Sequence, residues 1–449
     1  MTALADSFTG PVALQTDNLT NPLGIDDPAP RFSWQLQDPT NGAAQTSYQI
    51  QVASSAELLR QNTADIWSSG VVRSSQSMNT VYAGPALKPS TRYFWRVQLW
   101  NAARNPYSAS QVSWWETGLM TQDAWRAQWI GYETPEEETV RHAASTWFTS
   151  PDAKALAQEK QKQQHIAYRA TVTLTKPVLT ATLYATAQDA VSAWVNGAQM
   201  LTADPLPAWG QMPWKKFVGA DVTHNVNPGA NTIAIEAVHY VANPSGQVTE
   251  DAPPMMATLV VQYSDKTWAS FGTGTDWKVS THPADKWQQA SFNDPAWKSA
   301  VRFEPSANGV DPGHPWIPDS VKALRRDFTV SSPVKSARMY VTALGEYQIF
   351  LNGDRVSDQV FAPGWTDYRE RVVYQVYDVT KQIASGQNVI GALLAPGWYE
   401  TPLEWFQEPN NYGVTPPALR AQLRIEHTDG TVEWIASDQT WAARVSDVL

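Results

Sequence analysis

Asp367 and Glu370 stand three positions apart in the loop Gly364-Trp365-Thr366-Asp367-Tyr368-Arg369-Glu370-Arg371, near enough to be weighed as an acid and a base. Acid–base chemistry needs two opposed environments, one keeping a carboxyl protonated and one keeping its partner ionised. Arg369 and Arg371 flank the pair, so the expectation is surface or domain-interface ion pairs, and no residue of the chain is assigned a catalytic role. His239, beside Tyr240, closes the strand-like run from Thr232 and faces a loop. An imidazole there can meet a ligand or be an ordinary hydrogen-bonded residue. The seven His are scattered without His-x-x-x-His spacing, which argues against a transition-metal centre. There is no Cys, which removes disulfides, thiol chemistry and Cys-ligated zinc. Neither a Gly-x-Ser-x-Gly elbow nor a phosphate-binding Gly loop is present.

The other chemistry-bearing residue type is Trp, with 22 in 449 positions. Most Trp belong in cores, but a flat ring in a polar loop can stack on a sugar face. Trp209, Trp214, Trp365, Trp398 and Trp405 fit that description.

The elements that would position these residues occur twice. Leu183-Tyr184-Ala185-Thr186-Ala187 and Trp194-Val195-Asn196-Gly197 return 156 positions later as Met339-Tyr340-Val341-Thr342-Ala343 and Phe350-Leu351-Asn352-Gly353. Asp221-Val222-Thr223 and Gly229-Ala230-Asn231 return 157 positions later, and Asp265 and Trp277 return 164 positions later as Asp429 and Trp441. Apolar alternation around an Asn-Gly turn is a hairpin signal, and a slowly growing offset fits small insertions in loops. The chain is therefore read as carrying a duplicated β domain.

Length and composition agree. A chain of 449 residues suits about three domains, and 31 Pro and 24 Gly punctuate short strand-like runs, so the expected class is all-β. A front unit is read over residues 1–119, a second over 120–305 and a third over 306–449. Phe303–Asp319, with four Pro and two Gly, serves as the crossing between the last two. The Trp129 strand and the Trp287–Trp297 segment are expected to complete the first repeat. Ala153–Gln164 reads as a short exposed helix, an insert near 152–164, and Glu136-Glu137-Glu138 as solvated surface. A net charge of −10 without basic clusters argues against nucleic acid or anionic membrane as partner. The start, MTALADSFTG, lacks the basic and apolar regions of a signal peptide. Periplasmic, extracellular and cytoplasmic placements all remain open.

Leu87-Lys88-Pro89-Ser90-Thr91-Arg92-Tyr93 resembles the tyrosine corner of fibronectin type III domains, which makes the front unit a β-sandwich of that type. Gly364-Trp365-Thr366-Asp367-Tyr368, Tyr377-Asp378-Val379-Thr380 and Pro396-Gly397-Trp398-Tyr399, with Leu351-Asn352-Gly353-Asp354-Arg355-Val356 upstream, resemble the amino-terminal β-sandwich of bacterial α-L-rhamnosidases, glycoside hydrolase family 78. Asn21-Pro22-Leu23-Gly24-Ile25 and Pro30-Arg31-Phe32-Ser33-Trp34 resemble the start of the same enzymes. The resemblance implies three β-sandwich domains, the last two being related jelly-rolls.

The first repeat resembles a rhamnose-binding jelly-roll that uses calcium, and Asp189 of Gln188-Asp189 is the implied ligand. Implied partners are rhamnose-containing glycans, with Trp209, Trp214, His239, Tyr240, Trp365 and Trp398 as candidate contacts, and a catalytic (α/α)6 barrel. No helical stretch of that kind occurs through Leu449, so the expectation is the non-catalytic portion of such an enzyme. A free-standing carbohydrate-binding protein and a purely structural module are the alternatives.

Overall fold

A computed structural model describes residues 9–158, 163–202, 216–240, 254–304, 320–401, 403, 412 and 416–448. It is all-β. In the front unit Tyr93, Trp95, Val97 and Leu99 alternate inward along Arg92–Asn101, as the pleat requires of a half-buried strand. That strand lies in a four-stranded sheet with Trp67–Ser68, Gln45–Ala53 and Ser113–Glu116. The sheet packs on Gly10–Thr16, Arg31–Gln37 and Thr80–Val81 around Phe32, Trp34, Ile50 and Trp115. The Tyr93 hydroxyl accepts from the Lys88 amide at 2.8 Å, which is the tyrosine corner.

Each repeat is a pair of sheets in the same order. In the first, Ala198–Leu201, Ala190–Val195, Gly229–Tyr240, Gln163–Leu174 and Lys278–Ser280 are neighbours in turn. In the second, the series is Asp354–Arg355, Glu346–Leu351, Gly386–Ala395, Lys322–Val330 and Ala442–Val445. The facing sheets likewise match, with Val178–Ala187 between Val218–Asp221 and Met255–Tyr263 in one and Val334–Leu344 between Gln375–Asp378 and Ala418–His427 in the other.

The turn residues explain why the sequence repeats where it does. Asn196 and Asn352 both adopt positive φ, 51° and 54°, a region Asn tolerates. Each amide then donates to a buried Asn on the next strand, Asn231 or Asn388, at 2.9 Å. Those two Asn in turn tie down the turn that precedes them, at Asn227 and Gly229 or at Ala384 and Gly386. Trp277 and Trp441 close each core with indole donors to the Gly272 and Ala436 carbonyls.

Long-range packing departs from the local reading in three places. Trp129 does not complete the first repeat. Ile130 bridges Leu419 of the second, Ser437 and Gln128 exchange hydrogen bonds, and the Arg420 guanidinium lies 5.9 Å from the Trp129 ring centre. Glu136-Glu137-Glu138 is no solvated run but the first turn of the helix Pro135–Arg141, capped by Thr134. Glu137 meets the buried Lys322 ammonium at 2.7 Å, and Glu136 accepts from Tyr184 at 2.9 Å, so this helix touches both repeats. Among the described residues of 152–164 the helix covers Ala153–Gln158, while Gln163 and Gln164 belong to a strand, where they pair with Tyr240 and His239. Leu156 is drawn into the core, so the helix is not wholly exposed.

The front unit is clamped to the second repeat. Arg338, buried, donates to both Glu116 oxygens at 2.6 and 3.0 Å and lies 2.9 Å from Asp378. Tyr374 donates to Asp26 at 2.8 Å and accepts from the Leu119 amide at 2.7 Å.

Candidate functional site

Two strand ends, one per repeat, hold the candidate residues. In the first repeat Ala190 pairs with Val238, which brings the residues just beyond, Asp189 and His239, to one edge. The His239 ring nitrogen Nδ1 lies 2.6 Å from Asp189 Oδ2, and both side chains are largely buried. A carboxylate at that distance fixes the orientation of the imidazole ring. The residue before Asp189 in the chain, Gln188, has a buried Oε1 without a hydrogen-bond partner among the described residues, an acceptor of the kind that a ligand hydroxyl satisfies.

At the matching end of the second repeat Glu346 pairs with Ala395. The aspartate position is now Gly345, at φ +126°, where an added Cβ would lie 2.4 Å from the Ala395 carbonyl oxygen. The second repeat therefore cannot rebuild the Asp–His pair. It has aromatic residues instead: Trp365 and Trp398 stack with centres 6.4 Å apart at 18°, and Phe361 packs 5.5 Å from Trp398. The Trp365 indole donates to the Tyr412 hydroxyl at 2.6 Å. Phe361 and Trp365 are 61% and 52% exposed, large apolar surface that a partner would cover.

The electrostatics of this second end do not make an acid–base pair of Asp367 and Glu370. Asp367 is exposed, and its hydrogen bonds from Arg369 at 2.8 and 2.9 Å hold its carboxyl below the ordinary range. Burial pushes Glu346 the other way, upward. Burial also pushes Tyr368 up to about 12, with the Glu346 charge adding to it, and the buried Tyr368 hydroxyl has no hydrogen-bond partner among the described residues.

The structure thus brings Asp189 to His239 and Trp365 to Trp398, on different sandwiches. Tyr240 follows His239 in its strand; Trp209, Trp214 and Trp405 lie outside the described residues. Phe361, Tyr368, Tyr412 and Glu346 were not singled out from the sequence. Tyr368 and Tyr412 could have been flagged as aromatics near Trp365 and Trp405, whereas a Phe at φ 57° carries no residue-type signal.

Calcium takes six to eight oxygens. Among the described residues, Gln188 and Asp189 offer adjacent oxygens, one Asp189 oxygen already faces His239, and no group of three His, Cys, Asp or Glu converges. Those residues do not by themselves form a calcium cage. Among the described residues no helix is long and apolar enough to cross a membrane.

Comparison with known proteins finds relatives along most of the chain. The family described as alpha-L-rhamnosidase N-terminal domain matches residues 176–314 and 332–449, and a Rha78A-like N-terminal immunoglobulin domain matches residues 11–121. An alpha-L-rhamnosidase of Streptomyces avermitilis is 37% identical over 95% of this chain and 40% of its own length. One from Formosa agariphila is 29% identical over 95% of the chain and 28% of its own length. The crystal structure of the Streptomyces avermitilis enzyme complexed with L-rhamnose superposes with a TM-score of 0.73 at 35% identity, covering 97% of this chain and 41% of that one. The chain thus spans less than half the length of these relatives.

Proposed function

The chain belongs to the alpha-L-rhamnosidase N-terminal domain family, and from that premise we propose that it is the β-sandwich portion of an enzyme hydrolysing terminal α-L-rhamnosyl residues of glycosides or polysaccharides. Its first jelly-roll holds rhamnose-containing glycan, and its second braces a catalytic barrel. The working division is residues 1–119, 120–305 and 306–449.

The observation that carries the sugar-binding part is the Asp189–His239 pair at an end the second repeat cannot copy. Vicinal ring hydroxyls need acceptors and donors fixed at close range, and a carboxylate, an imidazole and the Gln188 amide oxygen supply them. Tyr240, Trp209 and Trp214 are the candidate apolar contacts. The cluster of exposed Phe361 and Trp365 with half-buried Trp398 suits a protein face, since aromatic residues are enriched at the buried centres of interfaces. Inverting hydrolysis needs an acid and a base roughly 6.5–9.5 Å apart, and both roles are assigned outside these residues.

Calorimetric titration of the purified chain with L-rhamnose, with calcium and with chelator, tests this. Saturable heat that Asp189→Ala and His239→Ala remove supports the reading; no heat in either buffer, or heat unchanged in both variants, overturns it. Release of nitrophenol from an aryl α-L-rhamnoside by this chain, abolished by a point change within it, would overturn the non-catalytic assignment.

A further inference from the structure

The duplication exposes a third difference between the repeats, away from both strand ends. On the outer face of the first repeat, Ala167, Ala234 and Trp194 are covered by the segment following Lys278–Ser280, which contributes Trp287, Phe292 and Trp297. Trp287 is buried and lies 5.5 Å from the Trp194 ring. Arg169 organises the cover. Its guanidinium donates to the carbonyls of Trp287, Gln289 and Phe292, pairs with Asp294 at 3.1 Å, and sits 5.3 Å from the Phe292 ring. Its side chain is 5% exposed.

The same face of the second repeat is built in the same register. Arg169 pairs across to Ala234 and to Lys278; Arg325 pairs across to Gly391 and to Ala442. Trp194 faces Ala234 as Phe350 faces Gly391. Among the described residues nothing lies over them. Ala323, Arg325, Phe350, Gly353, Gly391 and Leu393 line an open groove of about 790 Å³. Arg325 is 61% exposed and, among the described residues, holds only Asp327, two residues along its own strand, at 2.8 Å.

We propose that this groove is the seat of a polypeptide segment of the same make as Thr281–Trp297. It brings an aromatic side chain to Phe350 and Gly391, and an Asp or Glu with free backbone carbonyls to Arg325. It enters from the strand Ala442–Val445, as the first repeat's cover leaves Lys278–Ser280. Three observations favour this occupant over others. The identical register shows what this face accepts, and the guanidinium supplies the charge that matched an aspartate and three carbonyls. The hydrogen bond from the Ser446 amide to Val321 at 2.7 Å continues the pairing of Ala442–Val445 with Lys322–Val330 by one residue, so the chain leaves that strand beside the one that carries Arg325. The inference stands apart from the sugar reading, because it uses neither strand end.

The test grafts residues 281–299 of this chain after Val445 and compares melting with the ungrafted chain. A seated segment raises Tm by about 3 °C or more, and Arg325→Ala, exposed and outside any core, removes the gain. No rise, or a rise that persists in Arg325→Ala or in a graft with Trp287, Phe292 and Trp297 changed to Ser, overturns the proposal. A synthetic peptide of residues 281–299, titrated by fluorescence anisotropy into the full chain, covers the case of a graft that misfolds. Saturation below about 1 mM that weakens roughly tenfold in Arg325→Ala supports the assignment. Absence of saturation, or affinity that ignores Arg325, overturns it. A concentration-dependent dimer in sedimentation that Arg325→Ala dissociates assigns the groove to a second copy, and so also overturns it.

Discussion

The two jelly-rolls share strand order, register, the Asn-to-Asn turn clamp and the closing Trp, and differ in several of the contacts that reach beyond the sandwich. Where the first repeat has Thr182, Asp189 and a covered Arg169, the second has Arg338 buried against the front unit, a Gly that excludes a side chain, and an exposed Arg325. Duplication kept the groups that satisfy the backbone, since an unpaired buried polar group costs about 1–3 kcal/mol in any copy. It freed the faces that meet partners, where no such penalty applies.

Substitutions at matched positions can break this comparison. The largest contrast is expected between Arg338→Ala and Thr182→Ala. The first takes from the buried Glu116 carboxylate its two Arg338 bonds and leaves it to Arg92 alone, which costs about 3–4 kcal/mol in urea unfolding, while the second costs under about 1 kcal/mol; equal effects would show that the front clamp carries no weight. Next comes Arg169→Ala, which leaves an aspartate and three carbonyls without their donor and costs about 2–4 kcal/mol, against no more than about 0.5 kcal/mol for Arg325→Ala.

Asn231→Ala and Asn388→Ala sharpen the shared half of the comparison. Each removes the same set of buried turn bonds, so each should destabilise its repeat by about 2–3 kcal/mol. Unequal losses would mean that the scaffold has diverged too.

The smallest effect is electrostatic and belongs to the second repeat. Burial holds Glu346 above its ordinary pKa, so its contribution is favourable only below the unfolded value and is lost as pH rises through the folded one. Glu346→Gln should therefore raise Tm by about 1–2 °C at pH 7, a gain that disappears below about pH 4. A gain independent of pH would contradict that origin.

The scaffold was legible in the sequence because its marks are local. Asn-Gly turns, alternating strands and a tyrosine corner are each set by a few neighbouring residues. Contacts across more than a hundred positions were not legible: Ile130 with Leu419, Glu137 with Lys322, and Arg338 with Glu116. Glu136-Glu137-Glu138 looked like solvent-facing charge because its cationic partner Lys322 is remote in sequence. Of the site, His239 and Asp189 were named separately, but nothing local says that two strand ends place them 2.6 Å apart. Trp365 and Trp398 were found by residue type, whereas Phe361 depends on a backbone conformation that its residue type does not announce.

The proposed function requires that, of the two ends on one scaffold, the first alone takes sugar. Hydrogen-exchange mass spectrometry with and without saturating L-rhamnose reads both ends at once. The account predicts slowed exchange in peptides covering 186–191 and 236–240, with none at 344–347 or 395–400. Protection at the second end, or at both equally, would contradict it.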